Sequence, residues 1–280
     1  MDIENKKCYN NERGEARISF EQLTLADDFM FFKVMQDENL CRQLLEVILN
    51  KPIEKIVYVN NQESAQTTYD AKCIRMDVYV KDKNHTIYNI EMQKRNTKEL
   101  PQRTRYYHST VDQTQLKRGQ DYSKLPDSYV IFICTFDLFG VGFGKYTFEP
   151  VCIEDKNIHL CDGSHTIFVN AKGVADDQKL QEFIDYLRTG KVSESLFIKQ
   201  LDDAVKVASH NAKWREEYEM LIMQEQYLLN QGREEGREEE RENHFKSIMK
   251  LINSGVLSLE DYLEKADDNE EFKKWYLSQK

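Results

Sequence analysis

Alternating apolar and polar positions predict a β-hairpin within residues 75–93. Apolar side chains occupy every second position of two short runs: Met76, Val78, Val80, Tyr88, Ile90 and Met92. The polar stretch 82–85 separates the runs and supplies the turn. Successive side chains of a strand point to opposite faces. We therefore expect Asp77, Glu91 and Gln93 to share the face opposite the apolar one.

Periodic apolar positions on both sides of the hairpin predict an α/β core. Spacings of three and four residues are typical of amphipathic helices, and continuous or alternating apolar runs are typical of strands. The predicted elements are helices at about 24–35, 39–50 and 101–119, and strands at about 53–59, 129–136, 146–153 and 166–169. The run 129–136 is almost wholly apolar and is expected at the centre of the sheet. This order of elements predicts a mixed sheet flanked by helices.

The C-terminal third changes to helical patterns that end in a highly charged segment. Apolar spacing predicts three helices within residues 180–229, and a Gly-Arg-Glu-Glu repeat at 232–239 predicts an exposed helix or a linker. Apolar positions return at 245–262, where Ser258 is a candidate cap for a short final helix. The predicted segments are a flexible leader at 1–19, a core at 20–175, a helical extension packed on the core at 176–230, and a charged helix or linker with a small helical tail at 231–280.

Composition and charge exclude some classes of protein. The 280 residues include 40% hydrophobic side chains, enough for a sizeable core, and the net charge is −10. This charge argues against a generally basic surface for nucleic acid, but it leaves room for a local basic groove. No run reaches the ~18 apolar residues of a membrane span, and the polar N-terminus lacks the apolar region of a secretory signal. We expect a cytoplasmic protein without a membrane partner.

The polar face of the hairpin carries candidate metal-binding chemistry. An Asp and a Glu that converge from adjacent strands offer the oxygen ligands that hard divalent cations prefer. Such a cation polarises a phosphate and lowers the pKa of a bound water. The alternative is a half-solvated edge with ordinary surface charges, because an Asp followed by Glu-x-Gln is a short and common pattern.

Several segments resemble one family of nucleases. The first is D-V-Y-V-K-D at 77–82, followed by Y-N-I-E-M-Q at 88–93. The others are L-T-L-A-D-D-F-M-F-F-K-V-M at 23–35, L-L-E-V-I-L at 44–49, Y-D-A-K-C-I-R-M-D at 69–77, R-Y-Y-H-S at 105–109 and Y-V-I-F-I-C-T-F-D at 129–137. Together they resemble the Rpn family of recombination-promoting nucleases, also described as transposases, within the PD-(D/E)xK superfamily. The resemblance spans residues 20–230 and departs at Gln93, where most relatives carry Lys.

The resemblance implies a restriction-endonuclease-like α/β fold with a helical C-terminal extension. It also implies a divalent-metal-dependent DNA endonuclease that hydrolyses phosphodiester bonds in recombination, mobile-element movement or genome defence. Asp77 and Glu91 would be the catalytic metal ligands, joined by the backbone carbonyl of Met92. Mg²⁺ is the expected cation, and Mn²⁺ is the alternative. Gln93 would orient the attacking water or contact phosphate, although it lacks the charge of Lys.

Glu46 and several neighbours of the hairpin are further candidates. Glu46 is either a boundary carboxylate at a solvent edge or an additional acid near the metal, as first-helix glutamates are in some relatives. The residues expected to bind DNA are Lys72, Lys94, Arg103, Arg105 and Tyr107. Arginines bind phosphates, and tyrosines stack on bases. The alternative is that Tyr106 or Tyr107 packs inward and the charges are solvated.

Two other functional interpretations stay open. The first is a catalytically idle nuclease fold that binds DNA or another protein. The second is an interaction module built on the helices at 212–262, through which the chain would form a homo-oligomer. Cleavage of a plasmid with and without Mg²⁺ separates the first alternative from a nuclease, and light scattering of a truncated chain tests the second.

The cysteines and histidines at 152–165 are a weak candidate for zinc. Cys152, His159, Cys161 and His165 are close in sequence, but their spacing matches no standard zinc finger. We expect a loop between strands there. No C-x-x-C pair occurs among the six cysteines, and a cytoplasmic chain keeps them reduced.

Overall fold

The computed structural model describes residues 19–58, 77–116, 118–266 and 268–279. The predicted leader up to residue 18 and the candidate Lys72 lie outside the described residues. The chain divides into two compact units, residues 1–215 and 216–280. None of the helices in the described parts of the chain combines the length and the apolar composition that a membrane span requires.

A six-stranded mixed sheet forms the centre of the first unit as the structure describes it. Its strands are β1 (Ile56–Tyr58), β2 (Val78–Asp82), β3 (Ile87–Gln93), β4 (Ser128–Cys134), β5 (Lys145–Phe148) and β6 (Ser164–Asn170), in the spatial order β1-β2-β3-β4-β6-β5. β3, β4 and β6 are parallel, and the other neighbouring strands are antiparallel. The C-terminal ends of the three parallel strands therefore meet at one edge of the sheet, where ligands of open α/β sheets bind.

The predicted hairpin is confirmed as β2 and β3. Asp82 stabilises the turn, because its Oδ1 accepts hydrogen bonds of 2.9 Å from the backbone N–H groups of Asn84 and Thr86. His85 completes the turn with a φ of 69°. The register pairs Val78 with Ile90, so the two apolar faces combine as the alternation predicts.

Helices cover both faces of the sheet. In the first unit they are α1 (Asp28–Val34), α2 (Glu38–Leu49), α3 (Leu100–Gln115), α4 (Gln178–Thr189) and α5 (Leu196–Ser209), and α6 (Ala212–Asn253) begins there. α1 contacts β3, α2 contacts β1, and α3 lies along β4. α5 packs against both α1 and α2. The predicted α/β class, a mixed sheet flanked by helices, is confirmed.

Both faces of β3 are buried, although the alternation alone left a half-solvated edge as an alternative. On one face Ile90 is 0% and Met92 is 3% exposed. On the other face Asn89 is 0% and Glu91 is 2% exposed. α3 covers this second face, where its Val111 packs with a buried cluster of the hairpin. The polar residues of β3 therefore lie beneath a helix.

The second unit has a small helical core of its own. The remainder of α6 is followed by α7 (Leu259–Lys265) and α8 (Asn269–Ser278). The ring of Phe245 lies 5.3 Å from Phe272 and 5.6 Å from Trp275, centroid to centroid. Ser258 caps α7 as predicted. α8 was not predicted, because its few apolar positions stand among charged residues.

α6 is one continuous helix, where the sequence left open an exposed helix or a linker. It runs through the Gly-Arg-Glu-Glu repeat to Asn253. Glu and Arg are strong helix formers, and their propensity outweighs the ~1 kcal/mol that Gly232 and Gly236 each cost. The division at residue 215 therefore falls inside this helix, earlier than the predicted boundary at 230.

Candidate active site

Asp77 and Glu91 lie side by side at the edge where the parallel strands end. Asp77 immediately precedes β2, and the register of the hairpin, continued by one residue, places it opposite Glu91. The Asp77 backbone N–H donates to Glu91 Oε1 at 3.2 Å. In return, the Met92 backbone N–H donates to Asp77 Oδ2 at 3.2 Å. The two carboxylates are thus fixed by the backbone of each other's strand, as the shared face predicts.

The two carboxylates differ in exposure. Glu91 is 2% exposed, whereas Asp77 is only partly buried. Asp77 therefore stands at the mouth of the site, and Glu91 forms its inner wall. A polar group fixed in such a recess is surrounded by protein groups instead of water. The lower local dielectric strengthens its electrostatic interactions.

Two side chains of α3, those of Arg103 and Tyr107, contact Glu91. Arg103 Nη2 lies 3.3 Å from Glu91 Oε2, and Arg103 Nη1 donates to Gln93 Oε1 at 3.0 Å. Tyr107 accepts a 2.7 Å hydrogen bond from Arg103 Nη2, and its hydroxyl lies 3.5 Å from Glu91 Oε2. The four side chains form one hydrogen-bonded group, which spans β3 and α3.

The charges of this group shift the protonation of its members. Burial, and secondly the charge of Asp77, raise the pKa of Glu91 above its ordinary value, while Arg103 partly opposes this change. Burial and the charge of Glu91 raise the pKa of Tyr107 to about 12. The tyrosine hydroxyl is therefore neutral and able to donate. A recess with two carboxylates and one guanidinium has a strong preference for an additional cation.

The residues at the mouth fit a divalent cation through oxygen atoms. Asp77 and Glu91 supply carboxylates, and the Met92 carbonyl faces the same side because the N–H and C=O of one strand residue point the same way. Within the described ranges, no group of three or more His, Cys, Asp or Glu side chains is arranged to hold a metal ion. A cation held here would therefore have two carboxylates and a carbonyl as ligands and would keep water at its other positions. Such a sparse, oxygen-only set suits Mg²⁺, which keeps several of its waters.

Glu46 does not join this site. Its Oε1 accepts hydrogen bonds from Arg42 Nη1 at 2.7 Å and from the Ile53 backbone N–H at 3.0 Å. These contacts fasten the end of α2 to the chain that leads into β1. These contacts are those expected of a boundary carboxylate, the first of the two interpretations considered for Glu46, and no third acid accompanies Asp77 and Glu91 among the described residues.

The expected DNA-binding residues separate into different environments. Tyr107 is 5% exposed and stacks on Phe132 at 5.9 Å, so its ring is not available to a base. Arg103 is occupied by Glu91 and Gln93. Lys94 forms an ion pair with Asp27, which is itself 8% exposed. The inward packing that we considered as an alternative therefore applies to Tyr107.

Arg105 and Tyr106 remain on the outer surface of α3. Arg105 is exposed, and Tyr106 is 43% exposed. Their positions follow from the helical period, since residues 103, 104 and 107 face the protein interior and residues 105 and 106 face outward. These two side chains are the described candidates for contact with nucleic acid from α3.

Sequence reasoning missed Asn89. It is 0% exposed and lies two positions before Glu91, on the same face of β3. Its amide lies close to Glu91 and lowers the pKa of that carboxyl, but neither its oxygen nor its nitrogen has a hydrogen-bond partner among the described residues. The period-two pattern places residues 89, 91 and 93 on one face, but a single Asn in an apolar strand gave no signal of its role.

The residues considered for zinc form a different network. His165 Nδ1 lies 2.8 Å from Glu149 Oε1, and His159 Nδ1 lies 3.9 Å from Glu149 Oε2. Cys152 Sγ instead donates a hydrogen bond of 3.1 Å to Glu154 Oε2. As predicted, a loop connects β5 and β6 at 149–163.

The fold and the site together define a class, the α/β nuclease fold with an acidic pair at the end of its central strands. A family model described as PD-(D/E)XK nuclease family transposase matches residues 26–243, and the chain belongs to this family. The resemblance drawn from the sequence is confirmed. Neither the curated proteins nor the solved structures contain a significant match.

Proposed function

We propose that this protein is a divalent-metal-dependent endonuclease that hydrolyses phosphodiester bonds in DNA. The observation that carries the proposal is the paired fixation of Asp77 and Glu91 on adjacent strands at the open edge of the sheet. Membership of a nuclease family supports the same chemistry. A role in recombination, mobile-element movement or genome defence is part of the proposal.

Asp77, Glu91 and the Met92 carbonyl would hold the cation, Mg²⁺ by preference and Mn²⁺ as the alternative. A bound divalent cation polarises the phosphate and lowers the pKa of the attacking water. Asp77, at the mouth, meets the substrate side of the site. Glu91, buried beneath α3, keeps a fixed position because three groups hold it: the Asp77 N–H, Arg103 and Tyr107.

Gln93 would orient either the water or a phosphate oxygen. Its Oε1 accepts from Arg103, so its amide nitrogen is turned away from the guanidinium and retains donors for another partner. Gln93 is partly buried at the C-terminal end of β3. A donor fixed in this position stabilises charge that develops on a phosphate.

Cleavage of supercoiled plasmid by the purified full-length chain tests the proposal. We expect nicked and linear products with Mg²⁺, none with EDTA, and at least about a hundredfold less product for Asp77→Ala, since a metal ligand is lost. Circular dichroism of the variant checks that the fold is retained. Undiminished cleavage by a pure Asp77→Ala preparation would refute the assignment.

One observation favours a second candidate, a catalytically idle nuclease fold that binds DNA. Position 93 lacks the usual Lys, and Glu91 already has a cationic partner in Arg103. If this candidate is correct, the wild-type chain retains plasmid in a gel-shift assay but cuts nothing with Mg²⁺ or Mn²⁺.

A further inference from the structure

We propose that the Arg103 side chain supplies a fixed positive charge to this site and that it positions Gln93. Arg103 of α3 and Gln93 of β3 together would then replace the single lysine expected at position 93. The assignment rests on the proposed nuclease function. It concerns a residue for which the sequence suggested only a contact with the DNA backbone.

The guanidinium bridges Gln93 and Glu91, the residue at position 93 and the carboxylate that a lysine at this position would adjoin. Its Nη1 donates to Gln93 Oε1 at 3.0 Å, and its Nη2 lies 3.3 Å from Glu91 Oε2. An ammonium group on β3 would reach this same space from below. Arg103 reaches it from α3, and its side chain is 30% exposed, so it is not sealed off from solvent.

The aromatic neighbours of Arg103 fix where the charge stands. The guanidinium carbon lies 5.3 Å from the ring centroids of both Tyr107 and Phe132. The Tyr107 hydroxyl accepts from Nη2 at 2.7 Å. A planar guanidinium held by two rings and three acceptors loses most of its freedom before substrate arrives, which is how a preorganised site avoids reorganisation during the reaction.

Arg103 also determines which way the Gln93 amide faces. Because the carbonyl oxygen of the amide accepts from the arginine, the NH₂ group must face the other way. A glutamine without this partner has two nearly equivalent orientations. The pair thus supplies a positive charge and an oriented donor, whereas lysine supplies both from one side chain.

A surface ion pair elsewhere in the chain provides a matched control. Arg42 pairs with Glu46 at 2.7 Å, and its side chain is 29% exposed, close to the value for Arg103. Arg42 belongs to α2 and has no contact with the site residues among its described hydrogen bonds. Arg42→Gln therefore removes a comparable ion pair without touching the site.

The test compares Arg103→Gln, Arg103→Lys, Arg42→Gln and the double variant Arg103→Gln/Gln93→Lys in the full chain. Three quantities are measured: the single-turnover cleavage rate with Mg²⁺ well below each Tm, the affinity for a DNA duplex with Ca²⁺, and the Tm without metal. We expect Arg103→Gln to lower the rate by about 10²–10³-fold, the loss typical of one preorganised charge-stabilising donor. Arg103→Lys should keep a higher rate than Arg103→Gln, and Arg42→Gln should keep the wild-type rate. The double variant should be at least about tenfold faster than Arg103→Gln.

The results that would contradict this role of Arg103 differ in which measured quantity changes. If Arg103 only clamps α3 to the sheet, Arg103→Gln lowers the Tm and leaves the rate intact, and the double variant recovers nothing. If Arg103 is a plain DNA contact, affinity falls as much as the rate. Should Arg103→Gln fail to fold, an Arg103→Lys variant that folds but is no more active than Asp77→Ala overturns the assignment. A wild-type chain that cuts no DNA overturns the proposed function itself, and this assignment with it.

Discussion

Glu91 is a carboxylate in a position where an uncharged side chain would be more stable. It is 2% exposed, and its cationic contact among the described residues, Arg103, lies at 3.3 Å. Burial of a charge costs several kcal/mol unless pairing and hydrogen bonds compensate. Functional sites retain such residues because the chemistry requires them, at the expense of stability.

Replacing Glu91 by Gln is therefore expected to stabilise the metal-free protein near neutral pH. Burial raises the pKa of Glu91 in the folded state above its ordinary value of 4.5, so the unfolded chain ionises first as the pH rises. Native stability falls over that range, and Gln, which does not ionise, avoids the loss. Thermal melts in EDTA at about pH 7.5 should show a higher Tm for the variant, by ~2–4 °C for each kcal/mol relieved. The difference should vanish near pH 4, and a lower Tm of the variant at neutral pH would contradict this account.

Only some positions of the site residues could be predicted from the sequence. The shared face of Asp77, Glu91 and Gln93 followed from the period of a strand, which depends only on local geometry. The inward direction of Arg103 and Tyr107 did not follow, because it depends on how α3 docks on β3 and β4. Helix docking is decided by side chains that are distant in sequence, and one sequence taken alone carries little signal for it.

α3 is the element that closes the site, and His108 fastens it to the sheet. One ring nitrogen of His108 lies 2.8 Å from Ser128 Oγ on β4, and the other lies 3.2 Å from Thr166 Oγ1 on β6. Burial is the main cause that lowers the pKa of His108 to about 4; the charge of Asp162 opposes the shift, and His165 adds a smaller lowering effect. The ring is therefore neutral when the protein is folded at neutral pH.

His108 should make the protein sensitive to mild acid. Between pH ~6.5 and ~4 the unfolded chain takes up a proton that the folded chain does not, so stability is present above this window and is lost as the pH falls through it. Urea unfolding at pH 7 and pH 5 should show wild type losing about 1 kcal/mol more than His108→Gln, after allowance for the partial exposure of the ring. An equal loss in both proteins would show that His108 is not the responsible group.

The elements differ in how well the sequence predicts them. The hairpin and β4 were predicted because each has a clear apolar pattern and a nearby turn. β5 is shorter than predicted, Lys145–Phe148 instead of about 146–153, because the chain leaves the sheet after Phe148. The continuity of α6 was left open, since glycines and helix-forming residues alternate there and the local signals conflict.

At the scale of the whole molecule, a net charge of −10 limits how the protein approaches DNA. Acidic residues outnumber basic ones, and two of the expected DNA contacts, Lys94 and Arg103, are engaged with carboxylates. We therefore expect DNA binding to depend on a small number of exposed side chains, with Arg105 foremost on α3. Association of two chains through the exposed helix α6 stays a prediction.

The salt dependence of DNA binding should be shallow for this reason. Each neutralised phosphate contributes about 0.9 to the slope of log affinity against log salt. Arg105→Glu should weaken binding on every sequence alike and reduce the slope by about one. Lys124→Glu is the matched reversal, because Lys124 is exposed before the N-terminal end of β4, at the opposite edge from the site. Equal effects of the two variants would place the DNA elsewhere.

The most direct test of the central claim is a crystal of the full chain soaked in Mn²⁺ and measured at the manganese absorption edge. The account predicts an anomalous peak within about 2.0–2.4 Å of carboxylate oxygens of both Asp77 and Glu91, with the Met92 carbonyl as a further ligand. The same soak of Asp77→Ala should show no peak there. A fully occupied peak elsewhere, with none between Asp77 and Glu91 in the wild-type chain, would contradict the claim that this pair is the metal centre of a nuclease.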